Sequence, residues 1–426
     1  MIKTKDIWIA GFALFSLFFG AGNLILPPTL GAKSGVDWWI VVVGFALTAV
    51  AIPILAIFAH AKLQGTLYDF GKKVSPIFST VYCMLIYTIS IAIPSPRTAA
   101  VTHEMAIQPF FEAPALLTSI IYFALVFVFV VNRNKIISLI GKFLTPIIVL
   151  ILLIIIGIAA FTTSGAVNAS TFKTPFVDGI LEGYQTFDAI GGVVVGAVII
   201  ISLNLKGNDS FEVRKKLITK AGIIAGAGLL LIYGGLILSG SLLSSTFTEN
   251  ATRTEVLSSL STQTLGNLGT AFLSVLVALA CFTTAVGIVT GTADYVKGIC
   301  KDSKKAFIIT AVVACIIGVI VGSYQVDFII TLAVPALMFL YPITIVLILL
   351  NILPNKFASK QVFRAVVLVT FIFSITDFLG FIIPRENLTG IKNLIPLANH
   401  SLGWVIPALI TFVTLNLFNS GKTKKV

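Results

Sequence analysis

Several stretches of this chain, each close to the length that crosses a lipid bilayer, contain no charged residue. Residues 147–161, 221–243 and 306–323 are the plainest cases. A crossing takes about 20 apolar residues to span about 30 Å of hydrocarbon. Backbone amides find no water there, so each crossing must be helical. Of the 426 residues only 11% are charged and 57% are hydrophobic, whereas a soluble domain is about 25% charged. That charge is too little to solvate the roughly three soluble domains such a length would allow. The fold class is therefore an all-α polytopic membrane protein.

Twelve transmembrane helices are expected, near 7–30, 38–60, 76–100, 113–131, 136–161, 178–204, 217–243, 268–293, 305–323, 327–350, 362–384 and 398–418. An even number puts both termini on one side. With the termini inside, Lys33, Arg97, Lys173, Arg253, Arg385 and Lys392 fall outside, and the other 23 of the 29 basic residues fall inside. This asymmetry is the one that orients helices in a membrane. It accounts for the net charge of +12 without nucleic acid, which the apolar content excludes. The apolar run after Lys3 and Lys5 has no small-residue cleavage site and reads as a retained first span. Segments 162–177 and 244–267, rich in Ser, Thr and Asn, read as connections too short to fold alone, and 205–220 as a basic orientation anchor.

Two spans carry residues that a lipid-facing helix has no use for. The first reads Phe18-Phe19-Gly20-Ala21-Gly22-Asn23-Leu24-Ile25-Leu26-Pro27-Pro28. Glycine costs about 1 kcal/mol in a helix relative to alanine, and the prolines remove two more backbone donors. An interruption is expected near 20–23, where bare backbone survives only inside protein or along a polar cavity. Close packing of small residues is the plainer alternative, but it leaves Asn23 and the double proline unexplained. The sixth span reads Glu182-Gly183-Tyr184-Gln185-Thr186-Phe187-Asp188-Ala189-Ile190-Gly191-Gly192. A carboxylate in the membrane interior is costly and usually functional, unless Asp188 sits hydrated at the outer mouth. Two broken helices in corresponding positions of inverted halves point to a secondary transporter with its site at mid-membrane.

The run Gly20-Ala21-Gly22-Asn23-Leu24 followed by Pro27 resembles the unwound first helix of the LeuT-like fold. With Leu26-Pro27-Pro28-x-x-Gly31, Pro96-Arg97-Thr98-Ala99 and Gly183-Tyr184-x-Thr186-x-Asp188-Ala189, the chain is similar over essentially its whole length to the branched-chain amino acid:cation symporter family. The resemblance implies a 5+5 inverted repeat with helices 1 and 6 broken at mid-membrane. Residues 1–161 would form the first repeat, 176–351 the second, and 352–426 two additional helices and a basic cytoplasmic tail. It also implies import of Leu, Ile and Val with Na+ through alternating access, in a bacterial cytoplasmic membrane, without an obligatory protein partner. H+-coupled symport of the same or another neutral amino acid, with Asp188 carrying the proton, is the alternative.

An amino acid arrives as a zwitterion, and bare charges are expensive in a low-dielectric interior. A half-helix starting after the first break offers free N–H groups and the positive end of a dipole. The amides near Ala21 and Gly22 are expected to hold the carboxylate. The ammonium would take carbonyls near Phe18 and around Thr186, with Asp188 adding negative potential; Asn23, Tyr184 and Phe187 complete the expected substrate set. The resemblance places a sodium site between span eight and the first break. Its ligands would be the carbonyls of Ser16, Phe19 and Ala280 and the hydroxyls of Thr283 and Thr284. Those threonines could equally bond back to the preceding helical turn.

Other polar residues read as structure. His60, His103 and His400 fall near span ends, where interfacial solvation is expected. Arg97 is expected to snorkel at the outer end of span three. Asp377 lies outside both repeats and is a weak candidate, and Trp38 and Trp39 read as interface anchors. Cys83, Cys281, Cys300 and Cys315 lack metal-ligand spacing and read as small buried hydrophobes. A channel would need a repeated filter motif and an enzyme a His–acid or nucleophile–base constellation within spans; the sequence offers neither.

Overall fold

The computed structural model describes residues 4–20, 22–132, 136–162, 166–194, 196, 210–248 and 250–423. The chain enters as α1 (Thr4–Phe18), leaves the helical hydrogen-bond pattern at Gly20, whose amide donates to the Phe18 carbonyl, and restarts as α2 (Gly22–Ser34). A 3-10 turn (Gly35–Asp37) leads into α3 (Trp38–Ala46), a π turn (Leu47–Ala51) and α4 (Ile52–Leu63). Next come α5 (Leu67–Gly71), α6 (Pro76–Ala92), α7 (Pro94–Thr102), α8 (Ala115–Asn132) and α9 (Ile136–Thr162). The sixth span opens as α10 (Pro175–Tyr184), breaks at 185–187, and resumes over 188–194 as α11. The remainder is α12 (Phe211–Leu242), α13 (Arg253–Ile299), α14 (Lys304–Gly322), α15 (Val326–Ile352), α16 (Lys360–Leu379), α17 (Arg385–Leu394) and α18 (Val405–Thr423).

Local chemistry explains the less regular joints. Pro94 has no N–H and pushes the residue before it out of the helical region. Ile93 accordingly sits at φ −127°, ψ −70°, and the kink falls just ahead of Arg97. Within 244–267, read as a connection too short to fold alone, Ser244–Thr246 forms a 3-10 turn and the residues from Arg253 onward are helical. Thr252 and Glu255 form a capping box that starts α13, satisfying two otherwise unpaired ends. Gly266 then bends α13 at φ 71°, a conformation that glycine adopts without steric cost.

Large apolar side chains stand exposed around the bundle, Phe12, Trp39, Leu150, Leu231, Ile309, Leu368 and Ile410 among them. A patch of that extent needs a lipid covering, and the chain is a multi-pass membrane protein. Among the described residues, nine helical runs are long and apolar enough to cross a membrane. That count is lower than the twelve expected, for a physical reason. An interruption divides a span into pieces too short to qualify, such as the 15-residue α1 and the 10-residue α10. Val405–Phe418 is apolar but short, and residues 197–209 lie outside the described set.

Three expectations for polar residues need correction. His60 is fully buried, with Nε2 2.6 Å from the Val193 carbonyl and Nδ1 3.2 Å from that of Gly65. His103 is buried too, with Nδ1 2.9 Å from the Thr118 hydroxyl. Both rings face neighbouring backbone or hydroxyls, so neither is at a solvated interface. Cys300 is exposed just past the end of α13, unlike the three buried cysteines.

Each interrupted helix lies along one continuous partner. α1 and α2 both pack on α12, while α10 packs on α3 and α11 meets α4. Glycines bring these backbones together. A Cβ on Gly31 would stand 1.9 Å from the Ile237 oxygen, and one on Gly240 would stand 2.0 Å from the Pro28 oxygen. The second pair repeats the device: a Cβ on Gly44 would lie 2.1 Å from the Phe176 oxygen, and one on Gly179 2.6 Å from the Val41 oxygen. Small residues let helices approach this closely where lipid supplies no hydrophobic drive.

Gly31→Ala should therefore lower the melting temperature of the detergent-solubilised protein, through a backbone clash of at least about 1–3 kcal/mol. Gly157→Ala, whose new methyl meets nothing within 4 Å, should leave it unchanged or raise it slightly. Equal melting of the two variants would contradict the close α2–α12 crossing.

Candidate substrate and ion site

The two breaks meet. Asn23, in the first turn of α2, directs Nδ2 at the Phe18 carbonyl (2.8 Å), at Oδ1 of Asp188 (2.7 Å) and at the Tyr233 hydroxyl (2.9 Å). Two amide hydrogens serve three acceptors, so at least one is shared. The Tyr233 hydroxyl donates in turn to Oδ2 of Asp188 at 3.1 Å. Asp188 thus receives a donor on each oxygen and remains only 4% exposed. Charge-assisted hydrogen bonds of this kind are what make a buried carboxylate tolerable.

The start of α11 is closed by side chains. The amide of Asp188 donates to the Thr186 hydroxyl at 3.1 Å, which itself donates to the Gly183 carbonyl at 2.9 Å. The Ala189 amide donates to the Tyr341 hydroxyl at 3.1 Å, and Tyr341 stacks on Tyr184 with ring centroids 4.4 Å apart. Phe187 holds φ at 63°. That left-handed conformation is strained for a bulky residue, and such strain collects at functional sites. It lets the chain turn between the two half-helices.

Of the expected substrate residues, Phe18, Asn23, Tyr184, Thr186, Phe187 and Asp188 are all buried around this junction. Gly22 begins α2, and Ala21 lies outside the described residues. Tyr233 and Tyr341 were not foreseen. Their only trace in the sequence is a hydroxyl inside an otherwise apolar span.

Arg97 corrects an expectation. It does not snorkel outward but is 4% exposed, with Nη1 donating to the Gln185 carbonyl at 2.8 Å and its guanidinium 5.5 Å from the centre of the Phe187 ring. The proline kink and the packing of α7 against α13 and α14 hold it inside. The other face of Gln185 meets a second guanidinium: its side-chain oxygen is 3.4 Å from Nη2 of Arg253. Arg253 also pairs with Asp327 at 2.5 Å and Glu182 at 3.6 Å, tying α10, α13 and α15 together beside the break. Asp377 is buried elsewhere, on α16, with Lys392 at 3.9 Å.

Of the expected ion ligands, Ser16 and Phe19 lie in and just after α1, and Ala280, Thr283 and Thr284 lie on α13. In an unbroken helix the Gly20 amide would bond the Ser16 carbonyl, and the Asn23 amide that of Phe19. Here they donate to Phe18 and Gly20 instead, at 2.9 and 3.0 Å. The break thereby withdraws the helical donors of Ser16 and Phe19. Gly20 faces Thr284, whose hydroxyl oxygen would lie 3.6 Å from a Cβ on that glycine. The Thr283 and Thr284 hydroxyls both donate to the Ala280 carbonyl, at 3.0 and 2.9 Å, so back-bonding within the helix is the arrangement observed. The Ser16 hydroxyl pairs with that of Thr145 on α9 at 2.8 Å.

A family model described as branched-chain amino acid transport protein matches residues 3–422. The branched-chain amino acid transport system 2 carrier protein of Pseudomonas aeruginosa is 32% identical over 420 residues, covering 97% of this chain and 95% of its own length. The branched-chain amino acid permease BraB of Bacillus subtilis is 33% identical over 422 residues, covering 96% and 94%. Both are named as carriers or permeases, not as enzymes. Among solved structures, Mhp1, a nucleobase-cation-symport-1 family transporter seen in a closed conformation, matches 98% of this chain and 92% of its own. Its TM-score is 0.62 at 13% identity, which establishes a shared LeuT-like fold.

Tyr233→Phe removes a hydroxyl that both donates to Asp188 and accepts from Asn23. It should destabilise the purified protein by about 1–3 kcal/mol, the cost of stranding a buried charged partner. Tyr341→Phe removes one neutral hydrogen bond and should cost about 1 kcal/mol. Thermal melting in detergent orders the two, and the reverse order would contradict the network.

Proposed function

Since this chain belongs to the branched-chain amino acid transport protein family, we propose that it imports leucine, isoleucine and valine by symport with Na+. Import proceeds by alternating access across a bacterial cytoplasmic membrane. The observation that carries the reading is the junction itself, where Asn23 of one interrupted helix grips Asp188 of the other and Tyr233 closes the ring. Twelve crossings with cytoplasmic termini follow from the distribution of basic residues. A 5+5 inverted repeat, 1–161 against 176–351, is supported by the way each interrupted helix lies on one continuous partner.

The substrate zwitterion binds between the two breaks. The first amides of α11 are already bonded to Thr186 and Tyr341, so the start of α2 is the half-helix end that takes the carboxylate, through the amides near Ala21 and Gly22. Asp188 and the carbonyls near Phe18 and Thr186 take the ammonium. An apolar pocket gains only about 1–3 kcal/mol per methylene, so leucine, isoleucine and valine all enter. Arg253, bridging α10, α13 and α15, closes one end of the site and must release for access from that side.

Na+ prefers oxygen ligands, and the carbonyls of Ser16 and Phe19, relieved of their helical donors, supply two. Ala280 and the Thr283 and Thr284 hydroxyls supply the rest, once those hydroxyls turn their lone pairs to the ion. One sodium crossing 100 mV yields about 2.3 kcal/mol. A tenfold gradient adds about 1.4, enough together for roughly 500-fold accumulation.

Radiolabelled leucine uptake into proteoliposomes tests this. A sodium gradient should drive accumulation, and a proton gradient alone should not. Thr284→Ala should raise the sodium concentration for half-maximal uptake at least about tenfold, the effect of losing about 1.4 kcal/mol. Asp188→Asn should abolish accumulation. Equal uptake on a proton gradient would replace sodium in the scheme, and parent-like behaviour of both variants would overturn the site.

A further inference from the structure

Arg97 is a charge with too few partners. A guanidinium carries five N–H donors and stays protonated in proteins. Among the described residues, Arg97 uses one of them, Nη1 to the Gln185 carbonyl, although the residue is 4% exposed. No carboxylate lies within ion-pairing distance of it among those residues. The charged and polar groups that face it electrostatically are Asp188, Arg253 and Cys281. Both oxygens of Asp188 are engaged by Asn23 and Tyr233, and Arg253 only adds repulsion. One carbonyl and one aromatic face do not neutralise a cation in a membrane interior, where such residues are retained for function.

The surroundings say what is missing. Arg97 stands over Phe187, the residue that precedes Asp188, and its carbonyl partner is the first residue of the same break. α7 also packs against α2. The junction therefore holds one fixed cation and one fixed anion that do not pair with each other. An α-amino acid carries the complementary pair of charges a single carbon apart. The planar fork of a guanidinium matches a carboxylate better than any other side chain does.

We propose that Arg97 is a carboxylate subsite: its uncommitted N–H groups bind one oxygen of the substrate's α-carboxylate while the amides at the start of α2 bind the other. This rests on the reading that a zwitterionic amino acid occupies the junction. It adds a direct charge contact from α7 that selects for a free carboxylate. Arg97 thereby distinguishes amino acids from their amides and from the corresponding amines.

The test compares leucine with leucinamide, which keeps the ammonium and side chain but has no carboxylate charge. Binding of both is measured calorimetrically at saturating Na+ on purified parent, Arg97→Gln and Arg97→Lys. The parent should prefer leucine. Arg97→Gln should lose leucine affinity roughly 10- to 100-fold, the range for a charged hydrogen bond, with leucinamide affinity changed less than about threefold on the same scale. Arg97→Lys, which keeps the charge without the fork, should fall between. An unchanged leucine-to-leucinamide ratio in Arg97→Gln would overturn the subsite and assign Arg97 to holding the break alone. Should Arg97→Gln fail to fold, an unchanged ratio in Arg97→Lys overturns the subsite equally. A parent protein that binds neither compound would instead sink the amino-acid reading on which the subsite stands.

Discussion

A carboxylate buried among apolar helices has to be held by donors, and meeting that requirement at Asp188 organises the centre of this molecule. Its donors come from Asn23, on the restarted half of the first helix, and from Tyr233, on α12. Neither is near it in the chain. The hydrogen bonds bind three segments into one junction, and each bond is strengthened by the low dielectric around it. Without them the acid would have to be hydrated or neutralised. The two helix breaks would then lose the side-chain hydrogen bonds that join them directly.

Backbone geometry makes that junction reachable. Gly31 and Gly240 let α2 lie against α12, and Gly44 and Gly179 let α10 lie against α3. These contacts fix each half-helix against a long partner, so its broken end points at the other break and not into lipid. The breaks themselves also free carbonyls. Ser16 and Phe19 lose their helical donors where Gly20 and Asn23 turn to nearer acceptors, and the neighbouring Gly20 faces Thr284 of α13. In the proposed scheme the same interruption serves an anion at one end and a cation at the other, which is how a helix dipole divides its charge.

Two arginines frame the sixth-span break from opposite sides through a single residue, Gln185. Arg253 is paired with two acids and ties three helices together. Among the described residues Arg97 has no such pairing. Identical side chains thus have different settings: one is neutralised by the acids it bridges, and in the proposed scheme the other keeps its donors for the substrate.

The residues alone determined a good deal. Charge-free runs forced a helical membrane protein, because amides in lipid can only bond each other. Glycines and prolines at 20–28 and the acid at 188 marked where helices would not run smoothly, since both features are costly in a continuous helix. The depth of Arg97, the donors supplied by Tyr233 and Tyr341, and the burial of His60 were decided only by tertiary packing. A span's sequence states which side chains it carries but not which face meets protein and which meets lipid. That depends on kinks such as the one before Pro94, and on partners hundreds of residues away. Whether a polar group in a membrane helix is a surface anchor or part of a site is settled by what stands opposite it.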